Sequence, residues 1–154
     1  FVNCPLHTIK ELAKSSLLDS SAVWFGCDVG RESNQESGLM TPRIFDYESF
    51  YGMDFSLSRQ ELFETYSSSP THNMVFTGID IVDGKVRKWL VENSWGDKSG
   101  KRGYFLMLDD WFDQYVQVIV VRKKYVPEAI LALFDTPAET LPPWDPMVEA
   151  LHVR

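Results

Sequence analysis

The first apolar positions of the chain recur at the three- and four-residue spacing of a helix: Leu6, Ile9, Leu12, Ala13 and Leu17. Pro5 stands where a helix can begin, because proline is accepted in the first turn. An apolar run at residues 22–30 lies between polar turns and predicts a short buried strand. Residues 31–55 show no sustained period, so we expect a long loop with a functional or interface role.

The most regular pattern lies in the middle of the chain. Residues 72–82 and 85–93 are strand-like and flank Asp83-Gly84, a dipeptide typical of two-residue type I′ hairpin turns. Such a turn sets Val82 opposite Lys85 and fixes the pairing of the two strands. The sequence therefore predicts an antiparallel hairpin.

Shorter elements surround this hairpin. Ser58 followed three residues later by Glu61 predicts a helix with a capping box. Four more elements follow from similar criteria: strands at 104–108 and near 117–122, a helix at 109–115 with Asp109 as its N-cap, and a short helix from Pro127. The predicted class is α+β, an antiparallel β-sheet with flanking helices. Residues 1–135 form its body, and residues 136–154 are predicted to be an extended tail.

The predicted pairing has a chemical consequence. If the turn register holds along the strands, Met74 faces Asn93 and His72 faces Trp95. His72 and Asn93 are then diagonal neighbours on one face, about 7–8 Å apart at the backbone, within reach of a side-chain hydrogen bond. An amide that holds an imidazole is what a cysteine nucleophile needs, because the imidazolium stabilises the thiolate. A histidine on a strand is more often structural than catalytic, so both interpretations remain open on these residues alone.

Composition excludes several other functions. The 154 residues carry a net charge of -7, which disfavours nucleic-acid binding through this segment. No apolar run is long enough to span a membrane, and neither a metal site nor a cofactor motif is expected. The start shows no secretory signal and no initiator Met, so we expect a fragment or a processed product. Two cysteines, Cys4 and Cys27, make no disulfide framework, which favours a cytoplasmic protein.

Several segments resemble one known family. "ENSWG" at residues 92–96, with the glycine-rich turn and "GYF" after it, resembles the asparagine segment of papain-like cysteine peptidases, and "THNMVFTGIDIVDGK" resembles their histidine strand. The segments "AVWFGCDVG", "WFDQYV" and "LPPWDPM" are similar to the bleomycin hydrolase and aminopeptidase C branch of that family. The resemblance runs from residue 1 to about residue 147 and implies the C-terminal part of a papain-like fold.

The resemblance also implies functional residues. His72 matches the catalytic general base and acid, Asn93 the residue that orients it, and Trp95 the tryptophan that shields both. The family's nucleophilic cysteine and oxyanion-hole glutamine lie in an N-terminal half that this chain does not contain. Cys4 and Cys27 lack the surrounding motif, so both are predicted to be structural, and His7 and His152 are predicted to be exposed. The implied activity is cysteine-type aminopeptidase cleavage of peptides, with this chain inactive by itself.

The tail and the assembly complete what the resemblance implies. In the family, a C-terminus similar to Trp144, Asp145, Pro146 and Met147 enters the active-site cleft, where its carboxylate can hold a substrate's amino group. Here seven further residues, "VEALHVR", follow that motif, which departs from the family pattern. The implied partners are peptide substrates, the N-terminal half with its cysteine and glutamine, and further copies in a hexamer-like ring. The alternative is a non-catalytic structural or assembly module.

Overall fold

The structure is a computed structural model, and it describes residues 1–146. Its regular elements are α1 (Leu6–Leu18), β1 (Val23–Cys27), β2 (Ser33–Asn34), β3 (Leu39–Met40), α2 (Tyr47–Tyr51), α3 (Arg59–Glu64), β4 (His72–Val82), β5 (Lys85–Glu92), β6 (Tyr104–Leu108), α4 (Asp109–Tyr115), β7 (Val116–Val120) and α5 (Glu128–Leu131). Two 3₁₀ turns, Lys123–Tyr125 and Ala132–Asp135, flank α5. The predicted α+β class is confirmed.

Within the described residues, seven strands form one sheet in the order β2-β3-β6-β5-β4-β1-β7. Every pair is antiparallel except β3 with β6, which run parallel, so the expectation of a purely antiparallel sheet is corrected at that position. The core lies between one sheet face and the helices α1 and α4. At its centre the ring of Phe76 stacks on Phe25 at 3.8 Å and also contacts Trp89 and Phe112. This aromatic cluster fixes the middle of β4, the strand that His72 begins.

The opposite face of the sheet is largely uncovered. Trp24 was predicted to lie in a buried strand, yet 62% of it is exposed because its side chain points away from the helices. Strand pairing places five more apolar side chains on the same face: Val75, Leu90, Tyr104, Leu106 and Val120. All but Val75 are exposed. The described residues thus leave an apolar sheet face open to solvent.

The hairpin has the predicted turn but a more complex register. Asp83 and Gly84 both have positive φ, 52° and 76°, as a type I′ turn requires, and Val82 pairs with Lys85. Arg87 is then an extra residue on β5, and Thr77 is an extra residue on β4. Each bulge shifts the pairing by one residue, in opposite directions. Pairs between the bulges therefore differ from the prediction, while Val75 faces Glu92 as the turn predicts.

Two local predictions have different outcomes. The capping box is confirmed: Ser58 Oγ accepts from the Glu61 amide, and the Glu61 carboxylate accepts from the Ser58 amide. The proposed N-cap at Asp109 is wrong, since the cap of α4 is Leu108. The carboxylate of Asp109 instead accepts from Nε1 of the buried Trp89 at 3.0 Å and from Lys10 Nζ at 2.8 Å. The Asp109 carboxylate therefore accepts hydrogen bonds from distant residues instead of capping the amides of its own helix.

Residues 31–55 are more ordered than the sequence suggests. They contain the two-residue strands β2 and β3 and the helix α2, where a long loop was predicted. β3 joins the sheet only through a distant partner, since Leu39 pairs with Leu106 and Met40 with Met107. No local period can signal a two-residue strand. Within residues 1–146, no helix is long and apolar enough to cross a membrane.

Candidate active site

His72 is the first residue of β4 and lies at the end of the sheet. Across the neighbouring strand it faces Cys27, and the amide of Thr71 donates to the Cys27 carbonyl at 2.9 Å. The imidazole is half-buried. The backbone on which it stands is thus held by the sheet, which limits the directions the ring can take.

Asn93 follows the last residue of β5 and lies beside His72. Its Oδ1 is 2.8 Å from Nε2 of His72, so the hydrogen bond predicted from the turn register is present. The same oxygen accepts from the Ser94 amide at 2.7 Å, and the Asn93 amide donates to the Gly103 carbonyl. Two donors on one oxygen fix the orientation of the side-chain amide. Nε2 of His72 is therefore the protonated nitrogen in this bond, which leaves Nδ1 as the basic one.

The buried amide of Asn93 is incompletely paired. Only 8% of the residue is exposed, and among residues 1–146 its Nδ2 has no hydrogen-bond partner. Leaving a buried donor unpaired costs on the order of 1–3 kcal/mol. The side chain keeps this position because its oxygen serves both His72 and Ser94.

Trp95 covers the pair from one side. Its indole stacks on the His72 ring with centroids 4.8 Å apart and planes 27° apart, and it is nearly perpendicular to the Phe105 ring, with centroids 6.0 Å apart. The residue is still 41% exposed. The indole excludes water from one face of the imidazole, which strengthens the hydrogen bond beneath it.

The segment that leads into His72 is fastened at several points, none of which was predicted from the sequence. Arg31 Nη2 donates to the Ser67 carbonyl, and Gln117 Nε2 donates to Ser68 Oγ at 3.2 Å. Asp28 is buried; its Oδ1 lies 3.5 Å from Thr71 Oγ1, and its Oδ2 lies 3.4 Å from Arg31 Nε. No local pattern marks these residues, because their contacts join segments far apart in sequence.

Neither cysteine is hydrogen-bonded to His72 within the described chain, although Cys27 is the residue opposite it on β1. Cys27 is completely buried, and desolvation, with a smaller contribution from the charge of Asp28, raises the pKa of its thiol far above the usual range. It therefore remains a protonated core residue, as predicted. Cys4 is half-buried before α1, and no hydrogen bond joins it to His72 within the described chain. His7 is exposed, as predicted, while His152 lies outside the described residues.

The tail residues are only partly described. Trp144 is exposed, and its carbonyl accepts a hydrogen bond from the Tyr66 hydroxyl, six residues before His72. The Asp145 amide donates to the Pro142 carbonyl, and Pro146 is half-buried. Met147 lies outside the described residues. Up to residue 146, no hydrogen bond or ring contact connects Trp144 or Pro146 with His72, Asn93 or Trp95.

The donor set does not suggest a metal. Over the described part of the chain, no three His, Cys, Asp or Glu side chains come together as metal ligands would. What the site offers is a basic ring nitrogen, an amide that orients the ring and an aromatic cover. This set can transfer a proton to or from a group placed at Nδ1 of His72.

Comparisons with known proteins show the family of the chain. The Peptidase C1-like family matches residues 1–148. Aminopeptidase C of Lactobacillus delbrueckii subsp. lactis is 42% identical over 150 residues, which are 95% of this chain and 33% of that protein. Human bleomycin hydrolase is 41% identical over 149 residues, 94% of this chain and 33% of its own length.

A solved structure is similar over the same range. The crystal structure of PepW from Lactobacillus rhamnosis HN001 superposes with a TM-score of 0.88 and 42% identity, covering 94% of this chain and 33% of that one. The chain therefore spans about one third of the length of each of these relatives.

Proposed function

The chain belongs to the Peptidase C1-like family, and from this premise we propose that it is the C-terminal portion of a cysteine aminopeptidase similar to aminopeptidase C and bleomycin hydrolase. The observation that carries the proposal is the 2.8 Å bond between His72 Nε2 and Asn93 Oδ1 beneath Trp95. In this proposal His72 and Asn93 are catalytic. The nucleophilic cysteine and the oxyanion-hole glutamine belong to the part of the full-length protein outside this chain.

The proposed reaction uses Nδ1 of His72 twice. It first takes the proton of the cysteine thiol, and the thiolate attacks the carbonyl carbon of the first peptide bond. The imidazolium then gives that proton to the leaving amine as the C–N bond breaks and a thioester remains. Water attacks the thioester carbon while His72 takes a proton from it; the C–S bond then breaks, the amino acid leaves, and His72 returns the proton to the sulfur. Asn93 holds the ring throughout, because the hydrogen bond from His72 Nε2 to Asn93 Oδ1 is kept in every step.

Selectivity for the amino end is assigned to the tail of residues 136–154. The proposal is that Trp144, Asp145, Pro146 and Met147 lead this tail towards the cleft. The Tyr66 hydroxyl supports it, since it holds the Trp144 carbonyl beside the segment that enters His72. A tail that blocks one end of the cleft leaves room for a free amino terminus only.

We test this function with two matched substrates of the full-length protein. An amino-acid arylamide with a free amino group should be hydrolysed, and treatment with a thiol-alkylating reagent should abolish the activity. Acetylation of the amino group should lower kcat/KM about 10- to 100-fold, the loss expected when a charge-assisted hydrogen bond is removed. Equal turnover of both substrates contradicts an aminopeptidase, and activity that survives alkylation contradicts a cysteine enzyme.

The second candidate function is a structural or assembly module, and the open sheet face favours it. Trp24, Leu90 and Val120 are exposed on one face of the sheet. Contiguous exposed apolar patches mark protein interfaces. Within the enzyme proposal the same face contacts the N-terminal portion, and copies associate in a ring. Both proposals expect the isolated 17.7 kDa chain to self-associate.

Sedimentation of the isolated chain measures this association. We expect species heavier than 17.7 kDa, and Trp24→Ser should shift them towards monomer because it removes the most exposed aromatic group of this face. His7→Ala, on the exposed side of α1, is the matched surface control. A wild-type chain that remains monomeric at high concentration rules out the interface.

A cytoplasmic location is part of the proposal, because both cysteines are free thiols. No cofactor is invoked, and the net charge of -7 disfavours nucleic acid as a ligand of this segment. Cell fractionation checks the location: recovery of the protein from a secreted fraction contradicts it.

A further inference from the structure

Residues 137–145 of the tail lie outside the regular elements of the fold. Pro137, Pro142 and Pro143 lack the backbone amide that would let them join a sheet. The Asp145 amide donates to the Pro142 carbonyl at 2.9 Å, a bond that closes a turn within the tail. Such a local bond shapes the tail but does not fix where it lies on the protein. The place of the tail therefore depends on contacts from distant segments.

Tyr66 supplies a contact of that kind. Its hydroxyl donates to the carbonyl of Trp144, 78 residues further along the chain. More than half of each residue is exposed, so the burial of their two rings contributes little to the contact. The hydrogen bond is therefore what sets the position of Trp144 relative to Tyr66.

The backbone of Tyr66 is fixed by a Schellman motif at the end of α3. The Tyr66 amide donates to the Phe63 carbonyl at 3.0 Å, and the Ser67 amide donates to the carbonyl of the buried Leu62 at 2.9 Å. Tyr66 has a φ of 55°, the left-handed conformation for which glycine is the usual residue. A tyrosine is strained there, and strained residues cluster at functional sites. The strain points to a use of the phenol that glycine could not supply.

One segment carries both the tail contact and His72. Arg31 Nη2 donates to the carbonyl of Ser67, the residue after Tyr66. Six residues after Tyr66, His72 begins β4, where its pairing with β1 holds the backbone. Six residues of chain span at most about 22 Å, which limits the distance between the two α-carbons. The anchor of the tail therefore stays close to the proposed base.

We propose that Tyr66 is a positioning residue of the tail, and that by holding Trp144 its hydroxyl sets how many residues ahead of the cleaved bond the site accepts. While the Trp144 carbonyl is held, the tail keeps its place across the end of the cleft and excludes a substrate with a blocked amino end. Without the hydroxyl the tail takes other positions, and such a substrate gains access. The inference rests on the proposed aminopeptidase function and assigns a residue that controls its selectivity.

Tyr66→Phe in the full-length protein removes the hydroxyl and keeps the ring. The ratio of kcat/KM for an amino-acid arylamide to that for its N-acetylated form should fall about two- to tenfold, as expected for the loss of one hydrogen bond. For the arylamide with a free amino group we expect a higher KM and a kcat within about twofold of the wild type, because His72 and Asn93 keep their bond. Tyr66→Gly, which relieves the left-handed backbone, should lower the ratio by the same factor. A purely structural Tyr66 would leave the ratio of the glycine variant unchanged.

Digestion by chymotrypsin gives a second measurement that does not depend on activity. Chymotrypsin cleaves after aromatic residues, and cleavage after Trp144 requires the carbonyl that Tyr66 holds. Release of the fragment that begins at Asp145, followed by mass spectrometry, should be about two- to tenfold faster in Tyr66→Phe than in the wild type.

Tyr125→Phe is the matched control, because it removes the same group from a hydroxyl that donates to Asp19 at 2.7 Å. Its substrate ratio and its tail cleavage should equal those of the wild type. A ratio or a cleavage rate that stays at the wild-type value in Tyr66→Phe, or that shifts as much in Tyr125→Phe, overturns the inference and leaves the aminopeptidase function intact. A wild-type protein that hydrolyses the free and acetylated substrates equally overturns both.

Discussion

Replacing His72 by alanine in the full-length protein should lower kcat for an amino-acid arylamide about a thousandfold or more. Proton transfer by a positioned base contributes about 10²- to 10⁴-fold to a rate, and here the same nitrogen also generates the thiolate. His72 is half-buried, and its one side-chain hydrogen bond in the described chain is to Asn93. We therefore expect the loss to appear in kcat while thermal unfolding changes little.

His7→Ala is the control for this experiment. His7 is exposed on α1 and makes only a local contact with Thr8, so its replacement should leave turnover at the wild-type level. A His72→Ala protein that keeps turnover within tenfold of the wild type, with an unchanged melting temperature, would falsify the assignment of His72 as base and acid. The non-catalytic module would then be the better description of this chain.

Asn93 gives the second large effect. Asn93→Ala removes the oxygen that holds Nε2 of His72 at 2.8 Å and leaves the Ser94 amide without its acceptor. The imidazole can then rotate out of line with the nucleophile. The loss of a hydrogen bond worth about 1–3 kcal/mol corresponds to a fall in kcat of about 5- to 150-fold.

The variant Asn93→Asp distinguishes the role of the side-chain oxygen from that of the side-chain nitrogen. It keeps an acceptor at the same position and removes Nδ2, which has no partner within residues 1–146. We expect its kcat to lie between those of the wild type and Asn93→Ala. If Asn93→Asp is as slow as Asn93→Ala, or if Asn93→Ala stays within twofold of the wild type, the 2.8 Å bond does not orient the histidine. Thermal unfolding of each variant shows whether the fold has survived.

The site could be predicted because it lies next to elements with strong local signals. Asp83-Gly84 specified the turn, and the turn placed His72 and Asn93 on one face. The bulges at Thr77 and Arg87 have no such signal, and either one alone would have moved Asn93 to the opposite face. The predicted contact is correct because the two shifts cancel, which the sequence does not reveal.

Other features depend on contacts that no local pattern encodes. β3 forms because Leu39 pairs with Leu106 of the parallel strand β6, and 66 residues separate the two in sequence. Asp109 has the right residue type and place for an N-cap, but Lys10 and Trp89 compete successfully for its carboxylate. Local chemistry predicts turns and caps, whereas long-range competition decides which of them form.

The paired bulges also limit how this hairpin can change length during evolution. Loss of Arg87 alone removes one residue between the turn and Asn93, which turns the asparagine away from His72. Loss of Arg87 together with Thr77 restores the alternation on both strands. A one-residue insertion or deletion on either strand therefore keeps Asn93 beside His72 when a matching change on the other strand compensates for it.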